Sequence, residues 1–261
     1  SLRKEFFRIP GNDASDGLWR QTLKQYRVAD LWQVPEFRRY CRPPAPRSAG
    51  ALPGLVIPFG TEIVLGHNVF GWPLGGGDHA YDPSVFANKI QSAAVYLDNY
   101  PVASLAATPR VYMVPAGLDV MTIPTSAELK TREWSIVDQA IPVPYATGTN
   151  DLADPSWIPV CDGLAEPLGQ IRRFSSFRAK DSSEFDPGAD ALSYDTRLIG
   201  RSVWNTRWLL IVPGGSLLAD GDEGLDTLID GAPVPGGTSE RDLNGVQDIL
   251  LLLHTYGYSG N

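Results

Sequence analysis

The sequence predicts a mostly β fold, an antiparallel two-sheet β-sandwich led by a short N-terminal helical arm. Three observations predict it. The 26 glycines and 22 prolines are scattered along 261 residues, which places many turns between short elements. Runs rich in β-branched and aromatic residues fill the intervals between those turns. Several of the runs alternate apolar and polar residues with the two-residue period of a half-buried strand.

Helical signals are few, and two of the three stand at the start. In residues 18–32, Leu18, Leu23, Tyr26 and Leu31 form an apolar stripe beside Trp19 and Trp32, and Asp16 is placed to cap the helix. A second short helix is expected over 34–41. Residues 42–53, RPPAPRSAGALP, have the composition of a linker or extended strap, since proline cannot continue a helix and resists central strand positions. That stretch sets the expected boundary, with 1–45 as helical arm and strap and 46–261 as the β-sandwich domain.

Strands are expected within 54–74, 89–100, 109–121, 131–145, 198–218 and 245–256. Ile90, Val95 and Leu97 interleave with Lys89, Gln91 and Ser92, while Val203, Asn205, Arg207 and Leu209 oppose Trp204, Thr206, Trp208 and Leu210. A third helix is expected over 223–230, and long loops over 147–169 and 231–245. The closing run Ile249–Leu253 is continuously apolar, as in a strand buried on both faces, so the chain is expected to end on a core strand.

Composition narrows the function classes. The net charge of −8 is the opposite of what phosphate backbones attract, which argues against a nucleic-acid partner. No 18-residue apolar stretch suits a membrane span, and SLRKEFFRIPGNDASDG lacks the apolar centre of a signal peptide. A start without methionine suggests a piece of a longer chain. Cys41 and Cys161 are compatible with a disulfide, although two ordinary thiols are the simpler reading.

Two stretches resemble the C-terminal end of the large A components of bacterial toxin complexes, insecticidal proteins that assemble as pore-forming pentamers. YDPSVFANKIQSAAVYL (81–97) is similar to their aromatic-basic strand through Tyr81, Pro83, Phe86, Lys89, Ile90 and Ser92. QDILLLLHTYGYSGN (247–261) is similar to their terminal strand through Asp248, Ile249, Leu250, Leu251 and Tyr256. The resemblance implies a jelly-roll-like sandwich at the end of a long polypeptide, acting as scaffold against the parent chain or neighbouring subunits. It also implies a secreted or cell-surface bacterial setting.

Catalytic signals are sparse. His67, His79 and His254 are too dispersed for a zinc pair, and two cysteines supply no C-x-x-C set. No G-x-S-x-G is present, and paired carboxylates for glycoside hydrolysis are not identifiable from sequence. The chain is therefore expected not to be an enzyme.

GWPLGGGDHAYDP (71–83) reads first as a tight glycine-rich loop. It lacks the lysine and hydroxyl of a phosphate loop. Its sharper reading is a glycan site, with Trp72 and Tyr81 as aromatic platforms and Asp78, His79 and Asp82 as hydrogen-bonding groups. In ADGDEGLD (219–226), Asp220, Asp222, Glu223 and Asp226 crowd hard oxygen ligands that could hold calcium, although an acidic turn capping the following helix is the simpler reading. The arginine- and aromatic-rich pieces 30–44 and 168–180 suit either an interface or the cover of a core. An interaction module is the favoured function, with a carbohydrate-binding module as the alternative.

Overall fold

A computed structural model describes residues 1–41, 43–44, 46–107, 109–124, 129–135, 175–178, 180–181, 198, 201–235 and 240–259. The chain is mostly β with a few short helices. In order, the elements are α1 (Asp16–Gln25), β1 (Arg27–Val28), α2 (Pro35–Tyr40), β2 (Gly54–Phe59), β3 (Val85–Asp98), β4 (Arg110–Pro115) and β5 (Leu118–Pro124). They continue with β6 (Leu129–Ser135), β7 (Ser175–Arg178), β8 (Lys180–Asp181), β9 (Trp204–Asn205), β10 (Trp208–Pro213), α3 (Gly221–Asp230) and β11 (Asp248–Ser259).

The described residues form three sheets, ordered β1-β2-β10-β4-β7, β11-β3-β8 and β6-β5-β9. All pairings are antiparallel except β3 with β8, which is parallel.

Alternation divides the first sheet between two cores. Val111 and Met113 of β4, with Trp208, Leu210 and Val212 of β10, enter a large core. That core also receives Ile90, Ala93, Val95 and Leu97 of β3 and Ile249 of β11. The intervening Tyr112, Val114, Leu209 and Ile211 enter a second core, closed by Phe37 and Tyr40 of α2 with Leu31 and Leu52. Covered on both faces, β10 is buried at every position, and this explains its unbroken apolar sequence WLLIVP.

Residues of the first 41 share these cores. Trp19 and Leu23 of α1 lie in the large one, and the Trp19 indole donates to Val246 O over 2.9 Å. The proline-rich stretch is tied down at its end, where Leu31 N–H donates to Leu52 O and Leu52 N–H donates to Asp30 Oδ1.

Several sequence expectations are corrected. The helix expected over 18–32 ends at Gln25, because Arg27 and Val28 pair with Leu55 and Gly54 at the sheet edge. Leu18 is 54% exposed and lies off the buried stripe. Asp16 is the first helical residue rather than the cap, and its carboxylate pairs with Arg3 at 2.8 Å.

The strand expected over 54–74 stops at Phe59. Beyond it, side chains of Thr61 and Asn68 capture backbone N–H groups that a strand would need for its ladder. The run 109–121 divides into β4 and β5 at Ala116–Gly117, where both N–H groups donate to Arg207 O. A Cβ on Gly117 would collide with Thr206 Oγ1 and Arg207 N. Helix α3 starts at Gly221, with Asp220 as its cap accepting from the N–H groups of Asp222 and Glu223.

The closing strand differs most from expectation. Among the described residues it stands at the outside of its sheet with β3 as its ladder partner, and Ile249 is fully buried while Leu250–Leu253 are half-buried. Residues 136–145 of one expected strand, the loop 147–169 and Cys161 lie outside the described residues. Cys41 is a half-buried free thiol, and burial pushes its pKa up.

Candidate functional site

The segment joining β2 to β3, residues 60–84, carries the candidate site. Its root is Thr61, whose buried hydroxyl donates to Val203 O and accepts from Asn205 N–H and the Trp208 indole. Its midpoint is Asn68, fully buried. The Asn68 amide oxygen accepts from the N–H groups of Phe70 and Trp72, and the amide nitrogen donates to Glu5 O and Asp78 Oδ2.

Backbone bonds from Glu62 N–H to Val69 O, Asn68 N–H to Trp72 O and Leu74 N–H to Gly66 O close the loop on itself. Gly71 and Gly77 turn the chain at φ 80 and 85, where a side chain is strained. The result is an ordered loop whose apolar side chains point to solvent. Leu65 is 78% exposed, Trp72 46%, Leu74 45% and Val64 36%.

The five residues singled out for sugar binding have different surroundings. Trp72 sits at the exposed tip. The Asp78 carboxylate accepts from Gly75 N–H, Arg8 and Asn68. Partial burial would raise its pKa, but these donors outweigh burial and hold it below the ordinary carboxylate range. Asp82 accepts from Ser84 N–H at 2.8 Å and is held low by Ser84. His79 places Nδ1 2.7 Å from Glu5 Oε1, with its own side chain largely exposed. Tyr81 packs against the large core, and burial pushes its phenol up to about 12.

Beside the loop runs a groove of about 460 Å³. It is lined by Leu250–Leu253 of β11 and Tyr96 of β3, and by Val69, Phe70, Ala80 and Tyr81 from the loop. Glu5 stands in the lining between His79 and the Ser1 ammonium, which is 3.8 Å from the same oxygen, whereas Trp72, Asp78 and Asp82 do not line it. The groove suits apolar groups with one cationic or hydrogen-bond-donating neighbour.

Sequence reasoning missed Glu5, Phe70 and the leucines as groove residues, and Val64, Leu65 and Leu74 as exposed ones. The available signal was punctuation: Gly60, Gly66, Asn68 and Gly71 interrupt the apolar letters too often for one strand.

The acidic cluster is arranged around arginines. Arg27 bonds Asp222 and Asp226, and Arg241 bonds Glu223 at 2.9 Å and approaches Asp226. Asp220 is engaged as the α3 cap. Among the described residues no group of three or more His, Cys, Asp or Glu is set to hold a metal ion, and no helix is long and apolar enough to cross a membrane.

No family model matches the sequence, and neither a curated protein nor a solved structure matches the chain.

Proposed function

We propose that this chain is a non-catalytic structural and interaction module, from the C-terminal end of a large toxin-complex-like bacterial protein. It packs against the rest of its parent chain or neighbouring subunits through the tip of the loop between β2 and β3. The observation that carries this reading is the ordered display of Leu65, Trp72 and Leu74. Large apolar side chains held outward by a hydrogen-bonded loop are costly in water and are already organised for burial against a partner. Trp in such a setting is a common binding anchor.

Two further points support it. The two stretches that resemble toxin-complex A components, 81–97 and 247–261, meet in one ladder, β3 against β11. The core shared by the first and second sheets fits the two layers of a jelly-roll-like sandwich. The sugar reading has less to stand on, since Asp78 and Asp82 are already engaged and Trp72 does not join Tyr81 along the groove.

The test is photo-crosslinking in the source cells, with p-benzoylphenylalanine at Leu65 and, as control, at exposed Gln33. The proposal expects capture of parent-chain or subunit sequence from Leu65 and none from Gln33. Equal, background capture at both positions would overturn it.

A further inference from the structure

We propose that the outer edge of β11 is a strand-addition site. The groove beside it receives an extended peptide segment of another polypeptide, apolar at alternate positions and carrying one lysine or arginine toward Glu5. This surface is separate from the Leu65–Trp72–Leu74 tip, so its failure would leave the module reading in place.

The groove's position follows from strand geometry. Consecutive side chains of a strand point to opposite faces, so a cavity over one face meets residues i and i+2. This cavity meets Leu250, Leu251, Leu252 and Leu253 in succession, and therefore runs along the strand's edge. Among the described residues, β3 is the ladder partner of β11, and the opposite edge faces the groove.

An antiparallel edge strand turns N–H and C=O of every second residue outward. Another extended backbone satisfies such groups in series, which a compact ligand cannot do. Edge strands are commonly blunted by charge or proline, and Ile249–Leu253 contain neither.

The walls select the side chains. Phe70 and Tyr81 join the leucines in lining a space in the size range of binding clefts, which suits apolar residues. Charge selects the remaining position. Glu5 supplies the one carboxylate of the lining, its side chain is 6% exposed, and it is shared by the Ser1 ammonium at 3.8 Å and by His79, which is 87% exposed and free to be displaced. An incoming ammonium or guanidinium would make a stronger, charge-assisted bond there. The chain's net charge of −8 favours approach of a cationic segment.

The experiment measures fluorescence anisotropy of the 261-residue chain with a labelled synthetic decapeptide of alternating valine and threonine bearing one central lysine. Two companion peptides are compared, one N-methylated along one backbone edge and one with glutamate for lysine. The proposal expects roughly tenfold weaker binding of the N-methylated peptide, because its pairing edge is blocked. It expects about fivefold or greater weakening by glutamate, lost as a difference in Glu5→Gln.

Leu252→Lys, which charges the edge without touching Ile249, should abolish binding while retaining a cooperative melt. Should Glu5→Gln not fold, the peptide series and Leu252→Lys still decide. Equal binding of the N-methylated peptide would overturn strand addition. So would dodecylamine binding in the groove without peptide binding, which would mark a small-amphiphile pocket. A concentration-dependent dimer that the peptide fails to dissociate would also overturn the proposal, in favour of a second copy at the edge.

Discussion

The indole N–H of Trp208 donates to Thr61 Oγ1 across 2.8 Å, joining the central strand β10 to the root of the exposed loop inside the core. The same hydroxyl accepts from Asn205 N–H and donates to Val203 O. Thr61→Val keeps the volume and leaves these buried polar groups without their partner. It should cost about 3 kcal/mol in chemical denaturation, while Thr61→Ser, which keeps the hydroxyl, should cost about 1. A larger loss for Thr61→Ser than for Thr61→Val would show that the methyl, not the hydroxyl, matters at this position.

Asp119 gives a pH signature. Burial raises its carboxyl, and Arg201 at 3.9 Å and the Asn205 amide at 2.6 Å offset that only in part, leaving it at about 6. A pKa above the unfolded value of about 3.9 means the folded chain holds this proton more tightly. Its contribution to stability is full below about pH 4 and is lost as pH rises through about 6, a change on the order of 3 kcal/mol. Subtracting the stability-pH profile of Asp119→Asn from that of the native chain should isolate this falling slope. Parallel profiles would show that Asp119 does not titrate in this window.

Along the last strand, neighbouring side chains should differ sharply. Ile249 is fully buried in the large core, and Ile249→Ala should cost about 3 kcal/mol. Leu252 is half-buried beside the groove, and Leu252→Ala should cost roughly 1. Deleting residues 249–256 removes the long ladder partner of β3 and should abolish the cooperative transition. Comparable losses at Ile249 and Leu252 would return β11 to a doubly buried position.

Two apolar runs show how much of this fold was legible in the sequence. WLLIVP in β10 and ILLLL in β11 carry the same signal, a strand without alternation. In β10 it reflects cover on both faces by two cores, and in β11 it reflects an apolar wall beside a groove. Local pattern reports that a side chain is apolar and not what covers it, so the two cases cannot be told apart before the sheet order is known. The break at Gly117 escaped notice for a similar reason, since its need for a bare Cα comes from Thr206 and Arg207, far away in sequence. Short-range chemistry was more readable. Asp220 before α3 and the proline at the start of α2 act locally, and both helices stand close to where the sequence places them. The candidate site depends on Glu5 meeting His79 across 74 residues, and no local pattern encodes that contact.

The acidic turn makes a separate prediction. Asp222, Glu223 and Asp226 are engaged by Arg27 and Arg241, and Asp220 by the first N–H groups of α3. Calcium would have to displace two guanidinium groups and a helix cap to gather these oxygens. Millimolar calcium should therefore leave the melting temperature unchanged. A reproducible rise would place a metal site at 220–226.

The central claim is that this chain works as a docked module of a larger protein. An antibody raised against it, used to blot extracts of the source cells under denaturing conditions, tests that claim most directly. The account predicts a band far above the 28.4 kDa of the 261 residues. A single band at 28.4 kDa would contradict it and describe a protein that stands alone.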